Sequence, residues 1–182
     1  MSKHFLIWLN ILFYLQSGMI FLSILELTCE NITWMYVFIS LLIVVVYWRL
    51  SSYNNHYKKV AMFRGMLILG EMFFMITSSK PLSLHLSVFA LAATYEEYCG
   101  HKEILLENNY KLAHKWHILL CWYFGANLFV VLMSLILSLS LHEMENLSYL
   151  IVIQIEAIIR IIIGLIYLLL LFKTIKSLEF PQ

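Results

Sequence analysis

Apolar residues in this chain run in long blocks separated by short polar gaps, with no alternation at strand period and no one-sided helical stripe. The blocks cover approximately residues 5–25, 33–49, 60–77, 82–97, 114–141 and 148–172. A bilayer's hydrocarbon core takes about 20 apolar residues of α-helix to cross, with a range of roughly 17 to 25. Inside lipid every peptide group must bond within its own segment, which a helix achieves and an open strand does not. The pattern therefore predicts an all-α fold: a polytopic transmembrane helical bundle of about six spans, with residues 1–182 forming a single integral membrane domain.

The polar gaps supply an orientation. Lys3, Arg49, Lys58, Lys59, Lys102, Lys111, Lys115, Lys173 and Lys176 all fall in segments that alternate crossings place on one side. The gaps on the other side hold Lys80 and the acidic residues Glu26, Glu30, Glu143 and Glu145. Basic residues stay on the cytoplasmic side of inserted helices, so both termini are expected inside. The block after Lys3 is longer than a signal-peptide apolar region and lacks small-residue cleavage positions, and it is expected to be an uncleaved first span.

Composition agrees with that class and narrows it. Apolar residues make up 62% of the chain and charged residues 13%, against about 45–50% and about 25% for soluble domains. A net charge of +1 leaves no electrostatic footprint for nucleic acid. The acidic side chains are all Glu, which excludes EF-hand loops and Asp-based triads, and Cys29, Cys99 and Cys121 share no close spacing of the kind a disulfide framework or thiolate zinc site needs. No cofactor motif is present. The sequons at Asn31 and Asn146 both lie in expected outer gaps.

Charged residues within the blocks carry the functional expectation. Arg64 and Glu71 fall in the third block, Glu156 and Arg160 in the sixth. Each costs about 2.5–3.5 kcal/mol near a helix centre, whereas an apolar residue returns about 0.3–0.6 kcal/mol. Arg64 is close enough to the inner interface to snorkel. By depth alone, Gln16, Glu71, Asn127, Glu156 and Arg160 form a midplane polar cluster, with Arg160 the expected partner of Glu71 and Glu156. Such groups serve a proton, ion or polar-solute site, or else fix helix packing.

A second concentration of chemistry lies between the fourth and fifth blocks. Glu97 and His101 stand at i,i+4 and His114 and His117 at i,i+3, spacings at which helical side chains share a face and can hold a transition metal. Against this, Gly100 is expected to interrupt the helix, and the segment reads first as an interfacial linker helix anchored by Tyr110 and Trp116.

The expected function is channel-like or transporter-like movement of an ion, proton or small polar solute through the midplane cluster, as a homo-oligomer in the lipid bilayer. The alternative is an accessory or assembly subunit of a larger membrane complex, with the buried charges as docking contacts. The third is a membrane-embedded metalloenzyme using the Glu/His segment, although a non-enzymatic role is favoured.

Overall fold

A computed structural model describes residues 3–26, 33–77, 83–106, 109–140 and 145–180. Among these residues all regular structure is helical: α1 (Lys3–Glu26), α2 (Thr33–Leu50), α3 (Asn55–Thr77), α4 (Ser83–Leu106), α5 (Tyr110–Ser140) and α6 (Glu145–Glu179). The expected apolar blocks each correspond to one helix. Helices α1, α5 and α6 contain stretches long and apolar enough to cross a membrane, at Lys3–Leu25, Tyr110–Met133 and Gln154–Glu179. The apolar stretch of α2, Trp34–Leu50, is shorter.

Several helices begin earlier or end later than their apolar blocks, and the capping chemistry accounts for the starts of α3 and α5. Asn54 accepts the backbone N–H of His56 on its side-chain oxygen at 2.7 Å, and Asn109 accepts that of Leu112 at 3.1 Å. Each asparagine satisfies an orphan donor of a helix's first turn. The caps carry α3 and α5 past their apolar blocks into polar sequence. Helix α4 likewise continues through Gly100 to Leu106, so the expected interruption at Gly100 is corrected. A Cβ at Gly100 would lie 3.0 Å from Tyr57 Cε1 and 3.3 Å from His56 Cβ. The glycine is there for the close approach of α3 to α4.

The helices form a closed ring. Each packs against its neighbours in the chain, and α1 packs against α6 to complete the circuit. At that closing contact a Cβ on Gly164 would meet Ile20 Cδ1 at 2.9 Å, so a small residue lets the first and last helices meet. Among the described residues the main buried cluster lies toward one end of the bundle. It draws on Phe5, Leu9 and Leu12 of α1, Ile43 and Leu50 of α2, Val60 of α3, Leu105 of α4, Leu119 of α5 and Leu171 and Ile175 of α6. These belong to the N-terminal halves of the odd helices and the C-terminal halves of the even ones, which therefore meet at the same end.

Large apolar side chains are exposed on every helix. Tyr14 and Phe21 of α1, Trp34 and Phe38 of α2, Leu69 and Phe73 of α3, Val88 of α4, Trp122 and Leu128 of α5, and Ile158 and Leu165 of α6 are all exposed. Soluble monomers rarely expose contiguous apolar surface on this scale.

Candidate functional site

The packed end of the ring is built around one carboxylate. Glu97 of α4 is 2% exposed and its oxygens are divided between two kinds of donor. Oε1 accepts the hydroxyls of Tyr47 on α2 and Tyr167 on α6. Oε2 accepts the Arg64 guanidinium of α3 at 2.8 Å. Arg64 also lies over the Tyr47 ring, its Cζ 5.5 Å from the centroid, and the π-face adds to its stabilisation.

His101 lies one turn along α4, fully buried, and extends the network. Its Nδ1 is 2.9 Å from the Tyr57 hydroxyl and its Nε2 is 3.4 Å from that of Tyr167. Tyr167 spends its proton on Glu97, so its oxygen is free to accept from Nε2–H and Tyr57 donates to Nδ1. The donors then all run toward Glu97, which fixes the imidazole tautomer. Trp116 of α5 stacks on His101 at 4.5 Å between centroids and 28° between planes, and its indole N–H donates to Thr174 at 3.0 Å. Five helices thus contribute to a polar centre inside an aromatic shell.

A cavity of about 930 Å³ borders this centre. Arg64, Glu97, Tyr98 and Tyr167 lie along it with Gln16, Thr94, Asn127, Glu156 and Arg160, and its apolar lining includes Ala90, Leu91 and Phe124. Asn127 donates to the carbonyl of Tyr123 at 2.8 Å.

Of the expected midplane cluster, the fold brings Gln16, Asn127, Glu156 and Arg160 around one cavity. Arg160 pairs with Glu156 on its own helix, and its side chain is 75% exposed. Glu71 stands apart. It is exposed on α3, is not among the residues lining the cavity, and belongs to a helix that is not a ring neighbour of α6. Equal depth along the helices did not bring Glu71 to Arg160, and Arg64 pairs with Glu97 instead of snorkelling.

The four metal candidates do not converge. Glu97 and His101 share the buried face of α4, whereas His114 and His117 occupy an exposed face of α5 with ring centroids 6.5 Å apart. Among the described residues no group of three His, Cys or acidic side chains is placed to hold a metal ion.

At the polar edge beside this end, His56 bridges two carboxylates of α4. Nδ1 meets Glu96, Nε2 meets Glu103 at 2.9 Å, and Asn54 donates to Glu103 at 3.0 Å. Partial burial of His56 disfavours its cation, but the hydrogen bonds to Glu96 and Glu103 outweigh this and raise its pKa. Glu103 is lowered: desolvation is the largest single influence and opposes ionisation, but the hydrogen bonds from His56 and Asn54 and the nearby His56 and Lys102 charges together exceed it.

Sequence reasoning overlooked Tyr47, Tyr57 and Tyr167. The available signal was hydroxyl-bearing rings inside or beside apolar blocks, where a buried tyrosine needs a partner for its O–H. Comparison of the chain with known protein families, with curated proteins and with solved structures finds no match.

Proposed function

We propose that this chain is a multi-pass membrane protein whose six helices all cross the bilayer, both termini inside, and whose ring encloses a binding and transfer site for a small polar or ionic solute. The observation that carries the reading is the cavity. Two Arg–Glu pairs, Gln16, Asn127 and Thr94 face one space of about 930 Å³ inside an apolar-coated ring. Charges at such depth are expensive, and their grouping around a cavity is the arrangement that ion and solute pathways use. Apolar exposed faces on every helix support six crossings, because α2, α3 and α4 complete the same ring as the three longest apolar helices. The basic residues clustered at the packed end support the inward orientation.

Osmotic swelling of proteoliposomes in glycerol, glycine or sodium gluconate tests transfer. The wild type should swell faster than protein-free liposomes in at least one of them, and Asn127→Phe, which fills the cavity, should return the rate to background. Equal rates for wild type and protein-free liposomes in all three refute the reading. Orientation is tested with single cysteines at Ser52 and Glu30 in a cysteine-free background. An impermeant maleimide added to intact cells should label Glu30→Cys alone.

A docking role is the second reading, favoured by the 75% exposure of Arg160. A partner that co-purifies with the wild type and is lost from a folded Arg160→Leu variant would establish it.

A further inference from the structure

The polar centre has one unmet donor. Arg64 presents two hydrogen-bonding prongs, Nε and Nη2, on one edge of its guanidinium, and an opposing carboxylate ordinarily takes both. Glu97 takes only Nη2. Arg64 Nε is buried with no hydrogen-bond partner, a condition that native interiors rarely tolerate. The same side chain borders the cavity.

We propose that the part of the cavity beside Arg64 and Glu97 binds a small organic acid, the ligand carboxylate taking Arg64 while Glu97 takes the acid's proton. This rests on reading the cavity as a solute site and names the class of solute. As the neutral acid arrives, its O–H bond breaks and an O–H bond forms on Glu97 Oε2. The ligand carboxylate then occupies Nε and Nη2 of Arg64. The guanidinium keeps its charge, one carboxylate replaces another against it, and the net charge of the buried site is unchanged. Bringing in an anion without its proton would add an unpaired charge to a desolvated site, which is far more costly.

The division of Glu97's oxygens decides where the proton sits. Oε1 accepts Tyr47 from α2 and Tyr167 from α6, and both bonds persist when the group is protonated. Oε2 faces Arg64 alone on α3 and is the oxygen released when the guanidinium turns to the ligand. The remaining titratable groups around it keep their partners. His101 is held by Tyr57 and Tyr167, and Tyr98 stacks on Tyr167 and meets Tyr123 of α5 edge-on. The walls beyond Arg64, at Ala90, Leu91 and Phe124, suit an acid with an apolar body.

Sodium benzoate is the probe. Calorimetric titration at neutral pH in two buffers of different ionisation heat should show about one proton taken up per benzoate bound, with empty micelles as control. Apparent affinity should rise about tenfold for each pH unit lowered, as linkage to one proton requires. Glu97→Gln, which mimics the protonated state, should bind benzoate with no proton uptake and no pH dependence. Arg64→Gln should abolish binding, and if that variant does not fold, Glu97→Gln still decides the matter. Absence of benzoate binding to folded wild type, binding without proton uptake, or a Glu97→Gln variant that still takes up a proton each overturns the acid site. If swelling in glycerol or glycine persists alongside any of these, the ring cavity stands and only its ligand class is wrong. Proton-linked benzoate binding without swelling supports the site and refutes transfer through it.

Discussion

Replacing Arg64 by leucine should be the most damaging single change at the polar centre, and the structure sets its size. Glu97 is 2% exposed, so the variant leaves a carboxylate in the interior with two tyrosine hydroxyls and no counter-ion. Breaking a buried pair in this way costs about 3–5 kcal/mol. For a chain of this length each kcal/mol moves the melting temperature by roughly 2–4 °C, giving a drop of roughly 6–20 °C. Arg64→Leu combined with Glu97→Leu removes both charges. It leaves the Tyr47 and Tyr167 hydroxyls, 3.5 Å apart, to bond each other, so the double variant should melt above the single one. Arg160→Leu is the control. Its pair lies along the open cavity, with the Arg160 side chain 75% exposed, so its loss should lower the melting temperature by less than loss of the enclosed Arg64–Glu97 pair. This differs from what depth along the sequence suggests, which would make Arg160 the central ion. The assay is thermal unfolding in detergent, followed by tryptophan fluorescence, since Trp116 packs against His101. A single variant as stable as the wild type, or a double variant less stable than the single, refutes the account of a buried charge pair.

Gly100→Ala should destabilise by about 1–3 kcal/mol through overpacking. The new methyl meets a Tyr57 ring 3.0 Å away that is fully buried and tied to His101, and so cannot yield. Gly65→Ala, with nothing within 4 Å, should be neutral or stabilising by up to about 1 kcal/mol through helix propensity; the two melting shifts compared side by side check both. The His56 clasp should make stability depend on pH. A raised histidine pKa gives stability that is full below its ordinary value of 6.5 and lost as pH rises through the raised value. The lowered Glu103 gives stability that is full above its ordinary 4.5 and lost as pH falls through the lowered value. Wild type should therefore exceed His56→Gln in melting temperature by more at pH 5.5 than at pH 8.5.

Helix number and type were legible because apolar block length is a one-dimensional property, and backbone satisfaction in lipid leaves little alternative. Helix ends were less legible. Asn54 and Asn109 extend α3 and α5 into polar sequence, where hydropathy carries no signal and only the capping residue does. The i,i+4 relation of Glu97 and His101 was readable from helix geometry. Their burial was not, since the surrounding glutamates and lysines gave the segment the look of a solvated linker.

What the sequence did not carry is azimuth. Counting residues from the ends of each block gives depth, and on depth Glu71 and Arg160 belong together. Which side of a helix meets which neighbour depends on the ring order. There α3 lies between α2 and α4, so its partners are Tyr47 and Glu97 rather than groups on α6. Arg64 and Glu97 are 33 positions apart, a separation with no local signature. In a bilayer, helices gain little from burying apolar faces against one another, and specific packing relies on close contacts and polar bonds. The end of this ring that holds the main buried cluster is also where the hydroxyls, the imidazole and the ion pair interlock, with Gly100 admitting Tyr57. Specificity of assembly and the chemistry of the site therefore rest on the same side chains, so a variant at this end must be shown to fold before its activity is interpreted.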